Sequence, residues 1–200
     1  MEGSGATPQA QAPIAPQLKL RGVNHLALMT DDMKETIDFY GDVLGIRLIH
    51  ALTVPPGVNR GNPPFERLRH YFFDMGNDES LAFFELPKGA KPQTDRDAVG
   101  GMQHVSFTAD QAMFETVQDR LKARGIPILG PIKILGGRAL SIYFYDHNDI
   151  RLELTCHLAH TDDPHVIDDM TMTKSAARPE LMALHDDAAW VERTIAHLPD

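Results

Sequence analysis

Cysteine, tryptophan and basic residues are all scarce in this sequence of 200 residues. The one cysteine, Cys156, has no partner in the chain, so the fold holds no internal disulfide, which is usual in a reducing compartment. Lysine and arginine number 19 against 28 aspartates and glutamates, giving a formal net charge of −9 without any basic block. Such a chain repels phosphate backbones, and we expect no nucleic-acid partner.

Long apolar runs and the basic and apolar regions of a signal peptide are also missing. We therefore expect a cytoplasmic protein that makes no contact with a membrane. The hydrophobic content of 42% over this length is enough to bury one core, so composition predicts a single domain with tails.

One sequence pattern occurs twice along the chain. A histidine opens each half, at His25 and His104, and a glutamate closes it, at Glu85 and Glu153. In both halves a helix that ends at a glycine follows the histidine strand. A single internal repeat accounts for this order, and it predicts two copies of one module.

Hydrophobic periodicity gives each module the order βαβββ. Candidate helix caps stand at Asp31-Asp32 and near Asp110, and the helices end at Gly45 and Gly125. We expect an α+β fold in which the two modules form a curved mixed sheet, or half-barrel, around a metal site. The predicted segments are a disordered tail (1–18), module one (20–87), a polar linker (88–100), module two (101–157) and a C-terminal helical extension (158–200).

The C-terminal extension carries an apolar stripe from Leu181 to Leu198 that needs a partner surface, and we expect a homodimer with this helix near the interface. Three histidines precede it, at His157, His160 and His165. Their spacing fits no zinc signature, so they are interpreted as surface residues.

Strand alternation predicts that the repeated histidines and glutamates meet. Glu85 shares a face with Leu81 and Phe83, and Glu153 shares one with Arg151; both faces are expected to lie opposite the helices. A carboxylate among apolar strand residues is costly to bury unless a cation neutralises it. His25, Glu85, His104 and Glu153 are therefore candidate ligands of one divalent ion, which could be Zn²⁺, Ni²⁺, Fe²⁺, Mn²⁺ or Co²⁺.

Paired βαβββ modules with ligands on their first and last strands resemble the vicinal oxygen chelate superfamily, which includes glyoxalase I, extradiol ring-cleaving dioxygenases and bleomycin resistance proteins. The most specific stretch in the first half is Thr36-Ile37-Asp38-Phe39-Tyr40 followed by Val43-Leu44-Gly45. The resemblance implies a metal-dependent enzyme acting on a small oxygen-chelating substrate.

Two enzymatic branches of the family are open. The four candidate ligands resemble those of glyoxalase I. This resemblance implies a lyase or isomerase that transfers a proton through a metal-bound enediolate, with Glu85 or Glu153 as the catalytic base. The departures from the dioxygenase pattern described below favour this branch. In an Fe(II) extradiol dioxygenase only His25, His104 and Glu153 would bind the metal.

The stretch Ile142-Tyr143-Phe144-Tyr145-Asp146 resembles the dioxygenase signature, with Tyr143 at the place of its active-site tyrosine. Glu79, however, stands where that branch has a catalytic histidine. Tyr143 and Arg151 are expected to face the substrate and to bind a phenol and an anion, respectively. A third hypothesis is a metal-free drug-binding module like the bleomycin resistance proteins.

Overall fold

A computed structural model describes residues 20–54, 68–91, 95–159 and 166–200. The predicted tail over 1–18, residues 55–67 and 92–94, and His160 and His165 lie outside this part of the chain. The structure consists of two compact units. One spans Arg21–Val166 and holds both modules, and the other holds the C-terminal helices.

The expected α+β fold with a repeated βαβββ order is confirmed. Module one consists of β1 (His25–Thr30), α1 (Met33–Asp42), β2 (Arg47–Thr53), β3 (Arg69–Gly76) and β4 (Glu79–Glu85). Module two consists of β5 (Val105–Thr108), α2 (Gln111–Ala123), β6 (Leu129–Ile134), β7 (Ala139–Tyr145) and β8 (Arg151–His157). Both helices begin where the sequence predicts, since the side chains of Asp32 and Asp110 accept hydrogen bonds from the backbone N–H groups of Glu35 and Met113.

Each module builds one four-stranded mixed sheet with the same topology. The strand orders are β1-β4-β3-β2 and β5-β8-β7-β6, so the first strand of each module lies at a sheet edge and pairs in parallel with the last strand. The other two ladders of each sheet are antiparallel. The histidine strand and the glutamate strand of each repeat are therefore direct neighbours.

The two modules share one hydrophobic core. It is built from α1, α2 and one face of each sheet, with fully buried side chains that include Tyr40, Phe83, Leu121, Ile142 and Leu154. Polar contacts link the modules as well: the Tyr40 hydroxyl donates to Asp146 Oδ2 at 3.1 Å, and Arg124 pairs with Asp42 at 2.9 Å. By strand alternation, the other face of each sheet points away from this shared core.

The second unit is a small helical cluster. Its helices are α3 (Ile167–Met170), α4 (Lys174–Leu184) and α5 (Ala188–Ile195), and Val191 and Ile195 pack with Ala177 in its core. The predicted apolar stripe is thus divided between two helices that cover each other. No helix in the described part of the chain has the length and apolar character needed to span a bilayer.

Candidate metal centre

The side chains of His104 and Glu153 meet on the outer face of the second sheet. Glu153 lies in β8 opposite Ser106, and His104 immediately precedes β5. The Nε2 atom of His104 is 2.8 Å from Oε2 of Glu153, whose side chain is buried while that of His104 is partly exposed. The structure therefore places a nitrogen and an oxygen donor side by side at an accessible edge.

Hydrogen bonds keep the Glu153 side chain in its ionised carboxylate form. Burial raises its pKa, but hydrogen bonds from Ser141 and Tyr143 and the neighbouring His104 outweigh burial and leave the pKa of Glu153 below its ordinary value. The Thr155 hydroxyl also donates to Glu153 Oε1 at 3.3 Å. A carboxylate that accepts several hydrogen bonds stays ionised and keeps its orientation.

Tyr143 and Arg151 lie beside this pair, on the face where the sequence predicts them. The Tyr143 ring stands edge-on to the His104 ring at a centroid distance of 5.8 Å, and the Arg151 guanidinium lies 4.7 Å above the Tyr143 ring centroid. Burial and the hydrogen bond with Glu153 raise the pKa of Tyr143. Its hydroxyl is therefore protonated at neutral pH and can donate a hydrogen bond.

His25 occupies the corresponding position on the first sheet. It is exposed at the start of β1, with its ring 5.6 Å from that of Phe72 and 6.3 Å from that of His70. His70 in turn stacks on Phe84 at 3.6 Å, and the His50 ring lies 5.8 Å from Phe72. An imidazole and aromatic surface thus surrounds His25. Sequence reasoning missed it because His50 and His70 join His25 only through long-range strand pairing.

Both histidines follow a residue with an amide side chain, another feature that sequence reasoning missed. Asn24 Oδ1 lies 2.7 Å from His25 Nδ1, and Gln103 Oε1 contacts His104 Nδ1. In His25, an Nδ1–H that donates to the amide oxygen leaves Nε2 with its lone pair free, which is how protein sites orient metal-binding imidazoles. In His104, Nε2 faces the Glu153 carboxylate instead. The visible signal was an Asn-His dipeptide in one repeat and a Gln-His dipeptide in the other.

The Glu85 side chain does not lie on the outer face of its sheet with His25. Its carboxylate forms an ion pair with Arg69 and accepts a 3.1 Å hydrogen bond from the backbone N–H of Met33 at the start of α1. Leu81 and Phe83, which share its face, are fully buried in the core under the helices. The expectation that this face lies opposite the helices was wrong, because both faces of β4 carry apolar residues and alternation alone does not tell which one is covered.

Strand register identifies the true counterpart of Glu153 in module one. Glu153 pairs with Ser106, two residues beyond His104, and the residue two beyond His25, Ala27, pairs with Ala82. Alanine therefore stands where the repeat would supply a second carboxylate. In a single chain, no three His, Cys, Asp or Glu side chains within the described ranges are close enough together to hold one ion.

The chain belongs to the Glyoxalase/Bleomycin resistance protein/Dioxygenase superfamily, whose family model matches residues 22–154. This is the vicinal oxygen chelate superfamily expected from the sequence.

Three curated proteins illustrate the range of its relatives. The chain is 28% identical over 153 residues to the mitochondrial methylmalonyl-CoA epimerase of Mus musculus, covering 73% of this chain and 78% of the relative. It is 30% identical over 144 residues to the glyoxalase domain-containing protein RDO1 of Mycosarcoma maydis, covering 70% and 71%. MhqA of Bacillus subtilis, which is named as a ring-cleaving dioxygenase, is 27% identical over 139 residues; the match covers 69% of this chain but only 41% of MhqA.

Solved structures show the same fold. A glyoxylase/bleomycin resistance protein/dioxygenase domain from Frankia sp. EAN1pec matches with a TM-score of 0.55 at 18% identity, over 70% of this chain and 99% of that one. A glyoxalase/dioxygenase from Nostoc punctiforme matches with a TM-score of 0.53 at 24% identity, over 74% and 99%.

Proposed function

We propose that this protein is a divalent-metal-dependent enzyme that holds its ion with His25, His104 and Glu153 and acts on a small molecule with two adjacent oxygens. The observation that carries this proposal is the placement of the two carboxylates. Glu153 contacts His104, whereas Glu85 lies on the covered face and Ala82 takes the matching position in the repeat. The geometry therefore supports three ligands rather than the four of glyoxalase I.

The donors that meet in the structure fit a metal ion. Two ligands bound about 2.1 Å from one ion at a right angle are roughly 3 Å apart. The 2.8 Å between His104 Nε2 and Glu153 Oε2 agrees with that separation, and the lowered pKa of Glu153 keeps the donor ionised. Two imidazoles and one carboxylate suit Fe²⁺, Mn²⁺ and related ions and leave coordination positions for a substrate.

We infer that two copies of the chain complete the centre. The helix faces of both sheets share one core, so the face with His25 and the face with His104 and Glu153 both point outward. His25 of a second copy would then complete the ligand set. A shared centre explains why each half carries ligands on an outer face and why no three donors come together in the described part of one chain.

The reaction that three ligands support best is ring cleavage of a catechol-type substrate. A bound ferrous ion would supply the electron transfer between the substrate and dioxygen. Tyr143 is protonated and lies between Glu153 and Arg151, so it can donate a hydrogen bond to a substrate oxygen while Arg151 stabilises negative charge nearby. The Phe72 and His70 rings beside His25 provide an aromatic wall for a planar ring.

Proton transfer between adjacent carbons is the second candidate, and Glu79 favours it. The dioxygenase branch has a catalytic histidine at this place, whereas Glu79 Oε1 here accepts a 2.9 Å hydrogen bond from the Val23 N–H and holds the segment before β1. The similarity to a methylmalonyl-CoA epimerase points the same way. In this candidate, Glu153, the carboxylate that contacts His104, would carry the proton.

Metal content and turnover test the proposal. We expect about one ion per chain after reconstitution, with Glu153→Gln abolishing binding and Glu85→Gln, a matched substitution at a glutamate outside the centre, leaving it unchanged. A metal content under about 0.2 equivalents per chain after reconstitution would instead favour a metal-free binding module.

Anaerobic loading with Fe²⁺ followed by catechol and oxygen should yield a yellow ring-cleavage product. Turnover of methylglyoxal plus thiol, or racemisation of a 2-substituted acyl thioester, would instead favour proton transfer.

A further inference from the structure

A cavity of about 680 Å³ lies between the unpaired edge of β1 and the turn that precedes β8. One side is formed by consecutive residues 26–31 and the other by residues 147–151, so both modules contribute. Much of its wall is apolar, from Leu26, Leu28, Met29, Leu86, Met102 and Ile150. A cavity of this size can hold an elongated small molecule with an apolar body.

Three cationic side chains, Lys91, Arg96 and Arg151, line this cavity. Lys91 and Arg151 have no carboxylate partner among the residues that the structure describes. Arg96 donates hydrogen bonds to two neutral oxygens, the Tyr145 hydroxyl at 2.9 Å and the Asp149 carbonyl at 3.1 Å. Its guanidinium also lies 4.9 Å from the centroid of the Tyr145 ring.

The chain as a whole is acidic, with a net charge of −9, and several of its cations are paired with carboxylates. Arg69, Lys88, Arg124 and Arg178 all form ion pairs with a nearby Asp or Glu. Two carboxylates do line the cavity, Asp31 and Asp149, but one oxygen of Asp31 already accepts the Gly89 N–H at 2.8 Å. The cavity therefore keeps an excess of positive charge beside an apolar wall, which favours an anionic ligand.

We propose that this cavity is a binding site for an anion with an apolar chain, namely an alkyl carboxylate or an alkyl phosphate. The oxyanion accepts hydrogen bonds from Lys91, Arg96 and Arg151, and the chain lies along Met29 and Met102. Arg151 connects the cavity to the candidate metal centre, because its guanidinium stacks on Tyr143, whose ring contacts His104. Where the proposed enzymatic function holds, the site anchors the anionic end of the substrate; the anion binding itself does not depend on a metal.

The test uses the full-length, metal-free protein and two probes, hexanoate and hexyl phosphate, with ¹³C-labelled methionine methyl groups as reporters. We expect both probes to shift the Met29 and Met102 signals saturably at millimolar concentrations, while Met113 in helix α2, outside the cavity, is unchanged. Hexanol lacks the charge, and inorganic phosphate lacks the chain, so each should bind at least about tenfold more weakly. The ratio of the hexanoate and hexyl phosphate affinities identifies which oxyanion the site prefers.

Variants assign the binding to two of the three cations, Arg96 and Lys91. Arg96→Gln and Lys91→Gln should each weaken binding of the preferred probe by roughly tenfold. Arg47→Gln removes the same charge from an exposed position in β2 that does not line the cavity, and it should change the affinity less than about twofold. Lys91 makes no hydrogen bond within the described segments, so Lys91→Gln remains informative if Arg96→Gln disturbs the turn.

Equal losses in Lys91→Gln and Arg47→Gln, equal shifts at Met113, or no saturable binding of either probe would overturn the proposal. These outcomes are distinguishable from failure of the enzymatic proposal, because the metal-free protein is used throughout. Anion binding without metal uptake would leave the cavity site standing and remove the metal centre, and metal uptake without anion binding would do the reverse.

Discussion

A centre shared between two copies makes a specific prediction about mixed dimers. If His25 comes from one copy and His104 with Glu153 from the other, the variants His25→Ala and Glu153→Gln damage opposite halves of the same centre. A heterodimer of the two variants then holds one doubly damaged centre and one centre made only of wild-type ligands. Each variant alone, as a homodimer, holds no intact centre.

The expected magnitude follows from counting centres. Coexpression of the two variants with different affinity tags, and purification on both tags, isolates the heterodimer. It should bind about half the metal of the wild-type dimer, since one of its two centres is intact. Metal per dimer after desalting, measured by atomic emission, reports this directly without requiring a substrate.

A matched control uses two variants on the same side of the centre. His104 and Glu153 meet within one chain at 2.8 Å, so a heterodimer of His104→Ala with Glu153→Gln has one damaged ligand in each centre and should bind no metal. The reasoning is refuted if the His25→Ala and Glu153→Gln heterodimer binds no more metal than its parents, or if the wild-type protein is a monomer at micromolar concentration.

Three further predictions concern stability. Tyr40→Phe removes the hydroxyl that donates to the buried Asp146. It should lower the free energy of unfolding, measured by urea titration, by about 1–2 kcal/mol. An unchanged free energy of unfolding would argue against this contact. Folding lowers the pKa of Glu153, so the Glu153 carboxylate stabilises the fold above the ordinary pKa of 4.5, and this stabilisation is lost as the pH falls through the lowered pKa. The difference in unfolding free energy between the metal-free wild type and Glu153→Gln should therefore shrink below pH 4.5. A difference that stays constant with pH would contradict this prediction. Ile195→Ala opens a cavity in the C-terminal helical unit and should destabilise it by roughly 2–4 kcal/mol, seen as faster hydrogen exchange in α4 and α5 with the same metal content as wild type.

Local signals predicted the fold well. The caps at Asp32 and Asp110 and the glycines Gly45 and Gly125, both at positive φ, are properties of neighbouring residues and can be read from one sequence. The single helix expected to carry the stripe from Leu181 to Leu198, by contrast, is broken between Leu184 and Ala188.

The candidate site was harder to predict because it depends on pairing between distant strands. Glu85 and Glu153 both end a strand, but their roles depend on which residue lies opposite on the neighbouring strand, and only the register with Ala27 and Ser106 shows the difference. His157 was likewise predicted at the surface, but it is 3% exposed because it closes β8 against Ala139. Composition near His157 is polar, and it does not reveal how far the strand continues into the body.

In the proposed metal centre, the alanine at position 82 also has a consequence for how a substrate is oriented. In the proposed centre, two matching carboxylates would give an ion equivalent surroundings on both sides, so that a substrate could bind equally well in two orientations. With Ala82 on one side and Glu153 on the other, the two sides of the proposed centre differ. Aromatic rings flank His25, and a charged, hydrogen-bonded carboxylate flanks His104. A substrate with two unlike ends should therefore bind the proposed centre in one orientation only.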